Sequence, residues 1–247
     1  MFTISSEAVA SAVAGSSDFA QAAPIVARRA PQSVPAPRPP RDDSALDEVL
    51  RHPGIWRRGN APRVAAGDFQ PTGFAGLDMR LPGGGWPRGA LSEILIERDG
   101  IGECRLVLPA LAALTQAKQR VVFVAPPYIP YPPALVAAGI DLAQLVHIEA
   151  AAADTHWTAE QCLRAGCCGA VLNWLPDADY RRLRRLQLAA ESGSALAFVF
   201  RPLAAARETS PAALRLRVSV AGKEPRIDML KCRGRLGENA QAVPLRA

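Results

Sequence analysis

A chain of 247 residues that is 49% hydrophobic carries enough apolar material for one core of ordinary domain size. No run approaches the ~20 apolar residues of a membrane helix, and the start lacks the basic and apolar regions of a secretory signal, so neither membrane insertion nor export is expected. The net charge of +6 and a pI near 9.4 favour phosphate-rich or acidic partners, although all basic residues but Lys118, Lys223 and Lys231 are arginine, a bias that genome composition also produces.

Residues 1–43 are small, polar and proline-rich and cannot bury enough apolar surface to offset their ordering entropy, which predicts a disordered N-terminal extension. Ser44 is placed to cap a short helix over 45–51, with Leu46, Val49 and Leu50 on one side. Pro53-Gly54 stops it, and Ile55-Trp56 offers an apolar anchor, so 44–69 reads as a short helix and linker. From Thr72 onward strands and helices alternate. Strands are predicted over 91–96, 121–125, 145–148, 169–174 and 196–200, and helices over 104–118, 134–138, 156–164 and 178–191, with Pro109 discordant in the first helix. Residues 214–220 and 227–232 read as an antiparallel pair, and 236–247 as a flexible tail. The fold class predicted for 70–235 is α/β, with a mainly parallel central sheet and a C-terminal antiparallel hairpin.

The strand over 91–96 is where a phosphate-binding loop would begin. A working loop continues as G-x-x-x-x-G-K-[ST], with backbone N–H groups and a lysine on the phosphates and a hydroxyl on magnesium. Here the chain continues Glu97-Arg98-Asp99-Gly100-Ile101-Gly102-Glu103-Cys104. Aligned on Gly102, the first glycine is Glu97, the lysine is Glu103 and the hydroxyl is Cys104. Shifting the frame by one restores no site. A carboxylate in the lysine's place repels phosphate, so nucleotide hydrolysis is not expected. An ordinary strand–turn–helix with two glycines is the competing reading of the loop alone.

Five cysteines, Cys104, Cys162, Cys167, Cys168 and Cys232, are odd in number and lack zinc spacing. They read as reduced, mostly buried thiols of a cytosolic protein, and no metal or cofactor is expected.

Two runs, Thr72-Gly73-Phe74-Ala75-Gly76-Leu77-Asp78 and Leu81-Pro82-Gly83-Gly84-Gly85-Trp86-Pro87-Arg88-Gly89-Ala90, resemble the strand-entry segment of RecA-family recombinases. The likeness continues through Val122-Phe123-Val124-Ala125 and residues 135–145. More narrowly, the run from Gly83 to Leu91, the strand end Val171-Leu172-Asn173-Trp174-Leu175-Pro176 and the 181–190 helix resemble the ImuA family, RecA/SulA-like proteins of bacterial damage-induced mutagenesis cassettes. The resemblance covers roughly residues 44–235 and implies a RecA-like core. Two further positions depart from the recombinase: Ala125-Pro126-Pro127 stands where it has a catalytic glutamate, and Asn173-Trp174 where it has a magnesium-placing aspartate. The expectation is a degenerate RecA-like pseudo-ATPase with no catalytic residues.

Function then falls to contact surfaces. Tyr180, Leu183, Leu186 and Ala190 are expected to face the sheet, leaving Arg181, Arg182, Arg184 and Arg185 fanned over the rest of the helix for phosphates or carboxylates. A merely solvated arginine-rich face is the competing reading. Tyr128 and Tyr131, in the proline-studded stretch 126–133, suit base stacking or a protein hot spot, or else a rigid loop capping the sheet edge. The resemblance implies a cytoplasmic accessory protein of SOS-induced translesion synthesis. It would be partnered by an ImuB-like Y-family polymerase homologue and an error-prone replicative-type polymerase, with RecA and DNA as further candidate contacts. The alternative is a SulA-like inhibitor that binds the division GTPase, although the chain is longer than expected for that group; a third reading, ranked below both, is an active RecA-like DNA-dependent ATPase.

Overall fold

The computed structural model describes residues 69–221, 224–233 and 243–244. The extension expected over 1–43, the short helix over 45–51 and most of the tail over 236–247 lie outside the described residues.

Among the described residues the central sheet has eight strands: β3 (Ala90–Ile96), β4 (Arg120–Val124), β5 (Leu145–Ile148), β6 (Cys168–Trp174), β7 (Leu196–Pro202), β8 (Leu214–Ala221), β9 (Glu224–Cys232) and β10 (Val243–Pro244). They lie in the order β10-β9-β8-β3-β7-β6-β4-β5. All pairs from β8 to β5 are parallel, and β9 and β10 extend the sheet antiparallel. This is the predicted α/β class, with a mainly parallel sheet and an antiparallel hairpin. Strands buried on both faces read as near-continuous apolar runs; β6 and β7 largely do so, whereas β3, buried throughout, is interrupted by Ser92 and Glu93. β5, at the edge, is only half buried.

Each face of the sheet carries one apolar cluster. On the first, α2 (Leu108–Gln116) brings Ala110, Leu111 and Leu114 against Ile94, Phe123, Leu172 and Phe198. The second is covered by α4 (Thr155–Arg164) and α5 (Tyr180–Gly193), which bury Leu163, Leu183 and Leu186 on Leu91, Val171 and Val199. The side-chain amide oxygen of Gln187 on α5 accepts the backbone N–H of Leu91 at 3.0 Å, a buried bond that ties the helix to the central strand.

The entry to β3 shows why the glycine run is there. A two-residue strand β1 (Phe69–Gln70) pairs antiparallel with β2 (Trp86–Pro87), and α1 (Ala75–Asp78) lies between them. A Cβ on Gly85 would lie 2.2 Å from the carbonyl oxygen of Gln70, so only glycine lets the two segments close. Trp86 is fully buried and meets Phe198 edge to face at 5.0 Å.

Several boundaries differ from prediction for local reasons. Pro109 is not discordant. A separate 3-10 turn, Glu103–Leu106, precedes α2, and Pro109 then falls in the helix's first turn, where its missing N–H would be unpaired anyway. Helix α3 (Pro132–Ala137) likewise starts on proline. α5 starts at Tyr180 because the Asp179 carboxylate accepts the backbone N–H of Arg182 at 2.7 Å. Tyr180, expected against the sheet, is therefore at the outer start of the helix and 53% exposed.

Candidate partner-binding surface

The loop after β3 lies at the carboxyl end of the central strand, where open α/β sheets hold their ligands. Gly100 and Gly102 both take positive φ, 78° and 92°, and fold the loop back before the 3-10 turn. Glu103 is turned inward and 5% exposed. One of its oxygens accepts the backbone N–H of Gly100 at 3.2 Å, and the other is buried without a hydrogen-bond partner among the described residues. The residue in the lysine's place thus supplies the loop with an anion of its own. Burial, then the negative charges of Glu103 and Asp99, push the Cys104 thiol up to about 12, so it stays protonated.

Beside the loop, a cleft of about 310 Å³ opens between the ends of β3, β4, β6 and β7. Glu97, Arg98, Asp99, Trp174 and Arg201 are among its lining residues. Arg201 is already committed: Glu93 at 2.8 Å, Glu208 at 2.8 Å and the Ala178 carbonyl at 2.7 Å accept from it. Glu93 also takes Arg215 at 2.6 Å, making a buried Arg–Glu–Arg cluster across β7, β3 and β8. Trp174, at the end of β6, stacks on Phe200 at 4.8 Å and meets Phe123 edge to face at 6.1 Å. The strand end that would place magnesium is occupied by aromatic packing. Among the described residues no group of histidine, cysteine or acidic side chains could hold a metal ion.

The loop after β4 has the opposite character. Ala125 takes φ of 44° and donates its N–H to the Ile148 carbonyl at 2.8 Å, which turns the chain outward. Pro126, Pro127 and Pro130 then stiffen a stretch in which Tyr128, Ile129 and Tyr131 are 68%, 84% and 69% exposed. Behind them, Leu108, Leu111, Phe123 and Leu135 line a largely apolar groove of about 250 Å³. The two sequence-predicted tyrosines are brought together here. Ile129, passed over in the sequence, is the most exposed of the three; its signal was an apolar residue between prolines with no helix or strand period to bury it.

The arginines of α5 do not join this surface. The groove belongs to the α2 face of the sheet and α5 to the other. Nor do the four act alike. Arg185 lies 2.6 Å from the fully buried carboxylate of Glu160, which also holds Arg164 at 2.8 Å, as close ion pairs rather than aligned hydrogen bonds. His156 donates its Nε2–H to the Arg182 carbonyl at 2.8 Å and faces Glu160 at 4.0 Å. Arg185 therefore joins α4 to α5, whereas Arg181, Arg182 and Arg184 remain exposed with no side-chain partner among the described residues.

The cysteines are less buried than expected: Cys167 is exposed and the other four are half-buried. No helix among the described residues is long and apolar enough to cross a membrane.

Residues 89–197 match the family model described as "Cell division inhibitor SulA". The cell division inhibitor SulA of Photorhabdus laumondii subsp. laumondii is 34% identical over 98 residues, which are 39% of this chain and 49% of that protein. The chain thus spans about half the length of the curated relative it matches. The crystal structure of SulA from Pseudomonas aeruginosa superposes with a TM-score of 0.39 at 24% identity, covering 45% of this chain and 97% of that one. The matched region contains both loops described above and the whole of α4 and α5. These similarities correct one expectation. The polymerase-family partners, with RecA and DNA beside them, rested on a resemblance to mutagenesis-cassette proteins, and the similarity found is to division inhibitors instead.

Proposed function

We propose that this protein is a non-catalytic, SulA-like inhibitor of cell division, made in response to DNA damage and acting by contact with the division GTPase. The observation that carries the reading is the coincidence of the SulA match with a β3 loop that Glu103 fills from within and a β4 loop that presents Tyr128, Ile129 and Tyr131. A RecA-like origin of the core is consistent with the loop's place at the end of the central parallel strand. The pseudo-ATPase reading is supported by the same loop, where a carboxylate takes up the N–H of Gly100. The accessory role in translesion synthesis is not retained, because its support lay in partners that the SulA similarity replaces.

Contact surfaces of this kind draw most of their energy from a few aromatic and aliphatic anchors on a rigid support. The proline-stiffened stretch 126–133 supplies both, and we assign the contact to it. The experiment is overproduction of the full chain in its host without DNA damage, with cell length measured by microscopy. Filaments that keep segregated nucleoids and lack division rings support the reading. Cells of normal length, at a protein level confirmed by immunoblot, overturn it.

A further inference from the structure

α4 ends at Arg164, and the chain turns through Gly166, at φ of 64°, into β6, which starts at Cys168. That turn gathers three of the five cysteines. Cys162 is on the last turn of α4, where it packs half-buried against the second apolar cluster, as does Cys168. Cys167 stands between them and is exposed. Its sulfur is 3.9 Å from that of Cys168, a sulfur–sulfur hydrogen-bond contact. The turn lies at the amino end of β6, opposite the end that carries the two loops, so nothing in the proposed function uses it.

The pair is asymmetric. Burial, then the neighbouring Cys167, push the Cys168 thiol up to about 12, and either sulfur can donate in the contact between them. Cys162 is raised in the same way by burial and by Cys167. Cys167 is the sulfur of the three that solvent reaches. An exposed cysteine sulfur in contact with a second thiol is the arrangement that reacts reversibly with oxidants.

We propose that Cys167 and Cys168 form a dithiol modification site that takes a peroxide as two-electron oxidant and closes to an intramolecular disulfide. The Cys167 thiolate attacks one peroxide oxygen. The S–O bond forms, the O–O bond breaks, and the departing hydroxide leaves as water after taking a proton. The sulfur is oxidised by two electrons to a sulfenic acid and the peroxide is reduced. Cys168 then attacks the sulfenic sulfur: the S–S bond forms, the S–O bond breaks, and hydroxide leaves with the Cys168 proton as a second water. Cys104 and Cys232 stand outside the site, Cys104 being held protonated in the wall of the apolar groove.

The test treats the full-length reduced protein with hydrogen peroxide under native conditions, blocks remaining thiols with maleimide and maps peptides by mass spectrometry. The peptide holding Cys167 and Cys168 should lose two hydrogens, its maleimide labelling should fall about tenfold, and a thiol reductant should restore it. In Cys168→Ser the reaction should stop at a sulfenic acid on Cys167 that dimedone captures, and Cys167→Ser should leave Cys162 and Cys168 unoxidised. Circular dichroism of both variants checks that they fold. A disulfide joining Cys162 to Cys167, oxidation of Cys104 or Cys232 at an equal rate, or direct passage of Cys167 to a sulfinic acid would each overturn the proposal.

Discussion

Two loops at the same end of the sheet, one after β3 and one after β4, solve the problem of an exposed strand end in opposite ways. The first is polar and closed. It has Glu97, Asp99 and two positive-φ glycines, and it spends its inward carboxylate on its own Gly100 N–H. The second is apolar and open, rigid through proline, with its large side chains pointing away from the core. A loop that turns a carboxylate onto its own backbone offers that group less freely to a ligand, whereas a stiff loop that exposes apolar area keeps it for a partner. On the proposed function, the difference puts the partner contact on the β4 side and stability on the β3 side.

That division can be broken by substitutions that should separate folding from binding. The largest effect is expected beneath the closed loop. Glu93→Ala leaves Arg201 and Arg215 buried without their shared carboxylate and should cost about 3–5 kcal/mol, read as a lowered urea midpoint. If the midpoint does not move, the β3 side is not the structural half. Replacing Tyr128, Ile129 and Tyr131 together by serine should do the converse. Affinity for the division GTPase should fall by ~30-fold or more, the size of a hot-spot loss of about 2 kcal/mol, with the melting temperature unchanged. Unaltered binding would move the contact elsewhere on the molecule, with the exposed Arg181, Arg182 and Arg184 as the next surface to reverse in charge.

Smaller effects sharpen the same contrast. Glu160→Ala removes the fully buried partner of Arg164 and Arg185, both half-exposed, and should cost about 1–3 kcal/mol in chemical denaturation. Arg184→Ala, one position away from Arg185, should leave the midpoint within ~0.5 kcal/mol. Glu103→Ala should cost about 1 kcal/mol through the lost Gly100 bond and should still give no magnesium–ATP binding by calorimetry, because Trp174 remains packed where the magnesium ligand would stand. Micromolar nucleotide binding by that variant would mean that Glu103 alone had closed the site.

Periodicity and turn residues made most of the frame legible. Leu145–Ile148 coincides with its prediction and the other strands shift by a few residues, because buried parallel strands leave short β-branched runs between helices. The misses have a common cause. Glu93 meets Arg201 and Arg215 from positions 108 and 122 residues away, and no local pattern encodes such a pairing. Arg185 looked like one of four equivalent arginines until α4 brought Glu160 beneath it. Tyr180 fits the helical spacing of its neighbours, yet the Asp179 cap puts it at the outer start of the helix. The choice between polymerase and division partners failed for a different reason. The motifs carrying the resemblance are ones that it ascribes to both groups of proteins, so they could not separate the partners.

The central claim, a contact inhibitor without nucleotide chemistry, is tested most directly by adding the purified full-length protein to the division GTPase of the same host and following GTP-dependent polymer by pelleting. The account predicts near-stoichiometric loss of pelleted polymer without added ATP, abolished by serine at Tyr128, Ile129 and Tyr131. Undiminished polymer at a several-fold excess of the wild-type protein, or inhibition that appears only with ATP, would contradict it.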